Sequence, residues 1–374
     1  MPDNLRVALP AAPDELESRP PAEADARRQI RITSRQALLG LVPILLGFRP
    51  EASAVILGTK PPRGTLKISL RYSLDDLAAP DVAAYNIGHA LNVLTSQDSG
   101  LVMVIGYGPD AQVAPFIKLF REQAGKHNVR VRELLRVEGN RYWSYVCTDP
   151  TCCPPEGRPF DPAPDPVLTG LLPEGVPGVL ASREALADLV APLKGAAAHS
   201  MLLATQRAEA SIQLVERARG SAGHSISRHP IAPAGIRAVQ EAITSYRQSE
   251  CTVSHDEAGW LLISLRDKWV RDDAWSRMEA DHRQAHLRLW LDLTRLALPG
   301  SVAAPASLLA FVAWQSGNGA LANVALDRAL ADDPDYEMAH ILRRTLDCGM
   351  DPSKAKVPMT PEQVAESYTS SQRK

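Results

Sequence analysis

The stretch YWSYVCTDPTCCPPEG, residues Tyr142–Gly157, separates two halves of different character. It contains three of the five cysteines, Cys147, Cys152 and Cys153. Before it, short apolar segments alternate with helical patterns; after it comes a proline-rich passage and then a series of helical patterns. The sequence therefore predicts an α/β domain that ends in this cysteine-rich turn, followed by an α-helical domain.

Strand and helix patterns alternate in the first half. Helices are predicted after the N-cap candidate Ser34, over Asp75–Thr95, and from the loop Gly106–Asp110 to Lys126. The predicted strands are Ile30–Thr33, Ser53–Gly58, Thr65–Tyr72, Leu101–Ile105, Val129–Val137 and Arg141–Val146. This order predicts layers of helix around a mixed sheet.

The composition predicts five segments along the chain. Residues 1–29, rich in proline, alanine and acidic residues, are expected to be a disordered arm. Residues 30–160 form the α/β domain, and residues 161–180 a proline-stiffened connector. The helical domain covers residues 181–352 and precedes a flexible tail, residues 353–374.

The helical half contains one repeat-like passage. Ser307–Tyr336, SLLAFVAWQSGNGALANVALDRALADDPDY, has small residues at positions where two helices would meet, a glycine turn and a final Asp-Pro. It resembles a single tetratricopeptide repeat. Because such repeats need neighbours to complete a core, the preceding helices must supply the rest.

Composition and charge narrow the class of protein. The 374 residues are 45% hydrophobic and 22% charged, which is typical of a soluble globular chain. A net charge of −2 argues against non-specific binding to nucleic acid. The sequence shows neither an apolar run of the roughly 18–20 residues that a membrane helix needs nor a secretory h-region. A cytoplasmic location with reduced thiols is therefore expected.

The cysteines leave three interpretations open. Cys147, Cys152 and Cys153 could supply ligands to zinc or another metal, but zinc prefers four ligands, so a fourth would come from elsewhere. Two of them could form a redox-active or disulfide-forming pair. They could also be reduced, buried cysteines that pack as small hydrophobic residues. The segment contains no histidine to activate a nucleophilic cysteine.

A second candidate site is the loop GYGPD, Gly106–Asp110. Tyr107 and Asp110 follow a predicted buried strand, where α/β sheets often bind ligands, but the loop lacks a full phosphate-binding glycine pattern. Arg49, an anion-binding candidate, lies before the strand Ser53–Gly58. If that strand runs parallel to Leu101–Ile105, Arg49 lies at the opposite edge of the sheet.

The helical half offers two polar groups. Arg271 and Asp272, within WVRDDAW, could clamp a ligand, although helix capping with an Arg271 ion pair is the favoured interpretation. His282 and His286 are four residues apart, which permits metal binding but mostly indicates a surface pair.

Several motifs together resemble one bacterial family. They are LLGLVPILLGFRPEAS, YWSYVCTDPTCCPPEG, SREAL, WVRDDAW, LWLDLTRLALPG and the repeat-like passage. In this order they are similar to the domain-of-unknown-function family 4192, from Arg31 to about Pro352. The resemblance implies no activity, so no catalytic residue is carried over. The family often has histidine at the position of Arg49, whereas the cysteine segment matches in full.

The favoured expectation is a cytoplasmic adaptor that holds a protein partner with its helical half, since no catalytic constellation is complete. One alternative is a small-ligand binder or enzyme with a pocket at the C-terminal edge of the sheet. The other is a thiol- or metal-dependent sensor, with zinc as the possible metal at Cys147, Cys152 and Cys153.

Overall fold

The computed structural model describes residues 5–8, 29–62, 64–162, 178–221, 229–248, 252–354 and 359–370. They belong to two compact units, Met1–Arg183 and Glu184–Lys374. A mixed sheet with helices forms the first unit and helices form the second, which confirms the predicted fold class. Most of the predicted arm and connector lies outside the described residues.

The first unit is built on one eight-stranded sheet of order β2-β1-β4-β3-β5-β6-β7-β8. Its central strands β3, β4, β5 and β6 are the long apolar or alternating segments of the sequence. The eight strands are β1 Leu5–Ala8, β2 Gln29–Ile32, β3 Ser53–Lys60, β4 Thr65–Ser73, β5 Leu101–Tyr107, β6 Arg130–Glu138, β7 Arg141–Ser144 and β8 Arg158–Pro159. β1 pairs antiparallel with β2, so part of the predicted disordered arm is a strand. Four residues are too few for their alternation to stand out in the sequence.

The direction of β3 decides where the loops of the sheet lie. β3 is antiparallel to both β4 and β5, with Ser53 opposite Tyr107. The parallel arrangement considered for β3 and β5 is therefore wrong, and the Arg49 loop lies at the same sheet edge as the loop Gly106–Asp110. A crossover helix connects β4 to β5, so these two strands run in the same direction. β3 lies between them in the sheet and runs in the opposite direction to both.

Helices cover both faces of the sheet. α2, Pro80–Ser96, and α3, Asp110–Lys126, share one apolar core that includes Leu134 of β6. Because side chains alternate along a strand, Glu133 points to the opposite face. There it meets Arg35, the first residue of α1, Arg35–Leu46. β3 is buried at seven of its eight positions, as a strand covered on both faces must be.

The second unit packs around an apolar helix. α10, Ala303–Gln315, is buried along nearly its whole length, and its fully buried alanines Ala306, Ala310 and Ala313 allow close approach of α11. The likeness of this part to a tetratricopeptide repeat stays a prediction. The helices are α4 Arg183–Leu189, α5 Ala196–Ser221, α6 Ala232–Gln248, α7 His255–Ser264, α8 Lys268–Ser276, α9 Arg283–Leu296, α10, α11 Gly319–Asp332, α12 Glu337–Asp347 and α13 Pro361–Ser370.

The C-terminal tail differs from the expectation of flexibility. α13 forms there and begins with a reciprocal cap, in which the backbone N–H of Thr360 donates to Gln363 and that of Gln363 to Thr360. Val364 is buried, and Tyr368 stacks on Trp269 of α8 with ring centroids 5.7 Å apart. One cap and two anchoring side chains stabilise this helix. They are too few, among the surrounding polar residues, for the helix to be predicted from the sequence. Along the described parts of the chain, none of the helices is long and apolar enough to cross a membrane.

Candidate three-thiol site

The cysteine-rich stretch is a rigid turn between β7 and β8. The backbone N–H groups of Cys152 and Cys153 both donate to the carbonyl of Asp149, at 3.1 and 2.7 Å. Gly157 has a φ of +79°, and a Cβ built there would collide with the indole of Trp143. That indole donates to the carbonyl of Pro155 at 2.9 Å. Only glycine fits at position 157. The close packing against Trp143 therefore anchors the turn at the point where the chain returns to the sheet.

The turn brings three sulfur atoms together. The Sγ atoms of Cys147, Cys152 and Cys153 all lie within 4.8 Å of one another. The three cysteines are free thiols and half-buried. In the described part of the chain, no other group of three histidine, cysteine or acidic side chains is arranged to hold a metal. Of the other cysteines, Cys348 is exposed and free, and Cys251 lies outside the described residues.

A charged network aims a guanidinium at these sulfurs. Nη1 of Arg35 lies 3.6 Å from the sulfur of Cys152 and 3.4 Å from that of Cys153. Its Nε donates to Glu133 at 2.7 Å, and the Ser144 hydroxyl donates to the other oxygen of Glu133 at 2.8 Å. Ser144 in turn accepts from the backbone N–H of Cys147 at 3.2 Å. The carboxylate therefore fixes the guanidinium, whose positive charge favours thiolates nearby.

Sequence reasoning missed the residues of this network. Glu133 lies in the middle of β6 and is buried, and a buried acidic residue needs a cationic partner. The position of an acidic residue within the predicted strand was visible in the sequence. The identity of the partner was not, because Arg35 lies 98 residues earlier.

The three thiols are not equivalent. Hydrogen bonds to its sulfur, from the backbone N–H of Asp149 and from the Cys153 thiol, hold the pKa of Cys147 below its ordinary value. Burial, and then the hydrogen bond to Cys147, raises the pKa of Cys153 to about 12. As the pH rises, Cys147 therefore loses its proton before Cys153 does.

The two neighbouring carboxylates are committed elsewhere. Asp149 accepts from the backbone N–H and the hydroxyl of Thr151, at 2.9 and 2.7 Å. Glu133 is occupied by Arg35 and Ser144. In the described structure, the potential ligand set at this site is therefore the three sulfurs alone.

The second predicted site is closed at its centre. Tyr107 is buried, which raises the pKa of its phenol, and among the described residues its hydroxyl has no hydrogen-bond partner. Asp110 accepts from the hydroxyl of Tyr145 at 2.6 Å and lies 3.4 Å from Arg136. Arg49 is exposed. The structure brings the two loops to one edge of the sheet, and the ligand-binding role of these residues stays a prediction.

In the helical unit, Arg271 and Asp272 form the expected ion pair, at 2.6 Å. The cap of α8, however, is Asp267, which accepts from the backbone N–H of Trp269 at 2.9 Å. The second oxygen of Asp272 accepts from the hydroxyl of Tyr368 at 2.6 Å. The clamp role proposed for Arg271 and Asp272 stays a prediction, with both oxygens of Asp272 bound within the chain.

The histidine pair is not a surface pair. His286 is fully buried within α9, whereas His282 lies outside that helix with a substantially exposed side chain. The interpretation of both as surface residues is wrong because α9 turns His286 into the core.

Fold and site together define a class of protein: an α/β unit with a three-thiol turn, followed by a helical unit. Residues 36–353 match the family described as "Domain of unknown function (DUF4192)", so the chain belongs to this family, and the resemblance seen in the sequence is confirmed. Comparisons with curated proteins and with solved structures found no match.

Proposed function

We propose that the α/β unit is a metal-binding sensor unit that holds a thiophilic divalent ion, zinc foremost, on Cys147, Cys152 and Cys153. The observation that carries this proposal is the mutual proximity of the three sulfurs, all within 4.8 Å. Thiolate is also the softest ligand that a protein offers to zinc.

The spacing of the sulfurs suits a single ion. Zinc binds sulfur at about 2.3 Å, so two sulfurs of a tetrahedral site lie about 3.8 Å apart. Cys152 and Cys153 already lie 3.9 Å apart, sulfur to sulfur. The backbone hydrogen bonds of the turn hold its main chain in place. Rotation of the Cys147 side chain can therefore bring its sulfur to the distance that the ion requires without a change in the main chain.

The charges of the site also suit a divalent ion. Three thiolates and one divalent ion carry a net charge of −1, and the guanidinium of Arg35 supplies one compensating positive charge in contact with two of the sulfurs. The backbone N–H of Asp149, which donates to Cys147, lowers the charge on the third. Protein ligands that are hydrogen-bonded from outside in this way are typical of metal centres.

Three protein ligands distinguish this site from a structural zinc site. Structural sites close all four positions with protein side chains, whereas three ligands leave one position for an exchangeable ligand. We expect an ion held in this way to exchange with its surroundings, as sensing requires. The reduced thiols that it needs agree with the cytoplasmic location expected from the sequence.

Metal analysis of the full-length chain tests this proposal. Protein purified without chelator should contain one zinc per chain, or take up one with an affinity that a chromophoric zinc indicator can measure. The Cys147→Ser/Cys152→Ser variant should lose this binding, and the Cys348→Ser variant should keep it. Cobalt substitution should add a sulfur-to-metal charge-transfer band to the wild type alone. Wild-type protein that binds neither ion would remove the proposal.

A second candidate function belongs to the helical unit and follows the expectation of an adaptor. Helix α5 exposes the apolar side chains Leu202, Leu203, Leu214 and Val215, and Leu214 is 65% accessible. Exposed apolar side chains on a helix can contact a protein partner. This observation favours a partner that presents an apolar helix or groove.

Substitution on α5 tests the adaptor role. Full-length protein should recover a partner in a fixed ratio to itself, and Leu214→Gln/Val215→Gln should abolish recovery while Glu216→Gln, also on an exposed position, should not. Equal recovery by all three proteins would exclude α5 as the binding surface.

A further inference from the structure

We propose that Cys147 and Cys153 are a site of reversible oxidation, at which hydrogen peroxide forms a Cys147–Cys153 disulfide. The release of metal by this reaction rests on the proposed function; the disulfide itself does not. The modification deepens the sensor proposal, because it names the event that would change the occupancy of the site.

The geometry of the turn carries this inference. The sulfurs of Cys147 and Cys153 lie no more than 4.8 Å apart. A disulfide needs a sulfur separation of about 2.05 Å, which side-chain rotations can reach from this distance. All three cysteines are half-buried, so a small oxidant can reach them whereas a bulky one is hindered.

The same geometry selects one pair among three. Cys152 and Cys153 are sequence neighbours, and their Cα atoms lie about 3.8 Å apart across a trans peptide. That is shorter than the roughly 4.4–6.8 Å that unstrained disulfides span. Cys152 is further restrained because the carbonyls of Thr151 and Cys152 both accept from Arg158. Cys153 lies beyond these two anchored carbonyls and is therefore the partner that joins Cys147 with least distortion.

The chemistry balances with peroxide as the only co-reactant. The Cys147 thiolate attacks one oxygen of hydrogen peroxide; an S–O bond forms, the O–O bond breaks, and hydroxide leaves. The Cys153 sulfur then attacks the sulfur of the resulting sulfenic acid; an S–S bond forms and the S–O bond breaks. The departing hydroxide takes the Cys153 proton as water. The two sulfurs lose two electrons and peroxide gains them.

The disulfide would have a direct effect on a bound ion. It removes two of the three sulfur ligands, and a single remaining thiolate, Cys152, cannot retain a divalent ion against water. A small dithiol restores both thiols by thiol–disulfide exchange. Oxidation and reduction would thus unload and reload the same site.

Thiol mapping of the full-length protein tests the inference. The background variant Cys251→Ser/Cys348→Ser leaves only the three site cysteines. Treatment of its chelator-stripped form with hydrogen peroxide should remove two of three titratable thiols and yield a peptide linkage between Cys147 and Cys153. Dithiothreitol should reverse both changes. Adding Cys152→Ser should preserve the linkage, and adding Cys147→Ser or Cys153→Ser should abolish it.

The outcomes separate this inference from the proposed function. A Cys147–Cys153 linkage in protein that never binds zinc supports the disulfide and removes the metal proposal. Zinc binding together with a linkage of Cys152, or with oxidation to sulfinic acid and no linkage, overturns the disulfide. If both proposals hold, zinc-loaded protein should release its ion to an indicator in step with the loss of thiols. Wild-type protein mapped in parallel shows whether the serine substitutions alter the result.

Discussion

Arg35 and Glu133 place opposite charges where little water reaches, since their side chains are 18% and 4% accessible. A buried pair of this kind adds little to stability, because desolvation offsets much of the attraction. Ser144 completes the hydrogen bonding of the carboxylate, so the guanidinium is held facing the sulfurs. The orientation of this side chain thus places one positive charge beside Cys152 and Cys153.

The first prediction concerns the reactivity of Cys147. Hydrogen bonds from the Asp149 backbone and the Cys153 thiol lower its pKa, so its thiolate should persist to lower pH than that of an ordinary cysteine, whose pKa is about 8.5. The rate of iodoacetamide alkylation at Cys147, followed by peptide mass spectrometry on metal-free protein, should therefore have its midpoint below that value. Cys153→Ala removes one donor and should move the midpoint upward. A midpoint at or above 8.5 in the wild type would contradict the hydrogen-bonded arrangement.

The second prediction concerns His286. Burial, aided by Arg247 and His282, lowers its pKa to about 4, against about 6.5 in an unfolded chain. The unfolded state then binds more protons between these values, so the free energy of unfolding should fall as the pH drops from about 6.5 to about 4, by on the order of 3 kcal/mol. Urea denaturation at several pH values measures this. His286→Leu should flatten this part of the profile, and His199→Leu, at an exposed site, should not; equal slopes in all three proteins would contradict the assignment.

Residue by residue, the sequence shows where thiols are dense but not what surrounds them. The spacing of Cys147, Cys152 and Cys153 marks a candidate ligand set from seven residues of chain. Arg35 reaches that set only through tertiary folding, 117 residues away from Cys152. Pattern reasoning works within a segment, and this site joins three segments.

At the scale of elements, α13 shows how few contacts can hold a terminal helix. Tyr368 stacks on Trp269 with an interplanar angle of 7°, and the ring of His229 meets both rings edge-on. The hydroxyl of Tyr368 donates to Asp272. Aromatic packing and one charge-assisted hydrogen bond therefore attach this helix to α8.

The third prediction concerns that hydrogen bond. Tyr368→Phe keeps the stacked ring but leaves one oxygen of Asp272 without its donor, so we expect the helical unit to lose about 1 kcal/mol of stability. Urea unfolding followed by tryptophan fluorescence gives the loss. Tyr85→Phe is the matched control, because Tyr85 is 75% accessible, and should leave the midpoint unchanged. A tolerated Tyr368→Phe would mean that stacking alone holds α13.

The elements were predicted as far as their hydrophobic patterns allow. The apolar runs of β3 and β5 and the alternation of β4 are strong local features, and the strands lie where they were predicted. The direction of β3 relative to β5 is not local, since it depends on which strands the crossover helix joins. α13 was missed because its helix-forming features are a short capping sequence and two buried side chains.

At the scale of the whole molecule, the two candidate sites lie in different units. The three-thiol turn lies in Met1–Arg183, and the exposed apolar residues of α5 lie in Glu184–Lys374. The fold class followed from the change in pattern near Gly157, since alternating strands and helices give way to helices alone. The sequence contains no comparable pattern for a protein partner or for a metal site. A function can therefore be proposed only from the geometry of the folded chain.

The fourth prediction tests ion binding through stability. An ion that binds only the folded state stabilises it by about 2.7 kcal/mol at a free concentration 100 times its Kd. For a unit of this size the Tm should rise by on the order of 5–10 °C. Calorimetry of the full-length chain with buffered zinc should show that rise in one transition. The Cys147→Ser/Cys152→Ser variant should show no rise, and an equal rise in both proteins would mean that zinc binds elsewhere.

The separation of Arg35 from the cysteines along the chain has a consequence for synthesis. Translation is vectorial, so Arg35 and Glu133 leave the ribosome before Cys147 does. The β6–β7 hairpin pairs Ser144 with Leu135. Cys147, Cys152 and Cys153 are thus synthesised after Arg35, Glu133 and Ser144, and because a domain generally folds as a unit, they reach these partners when the α/β unit folds.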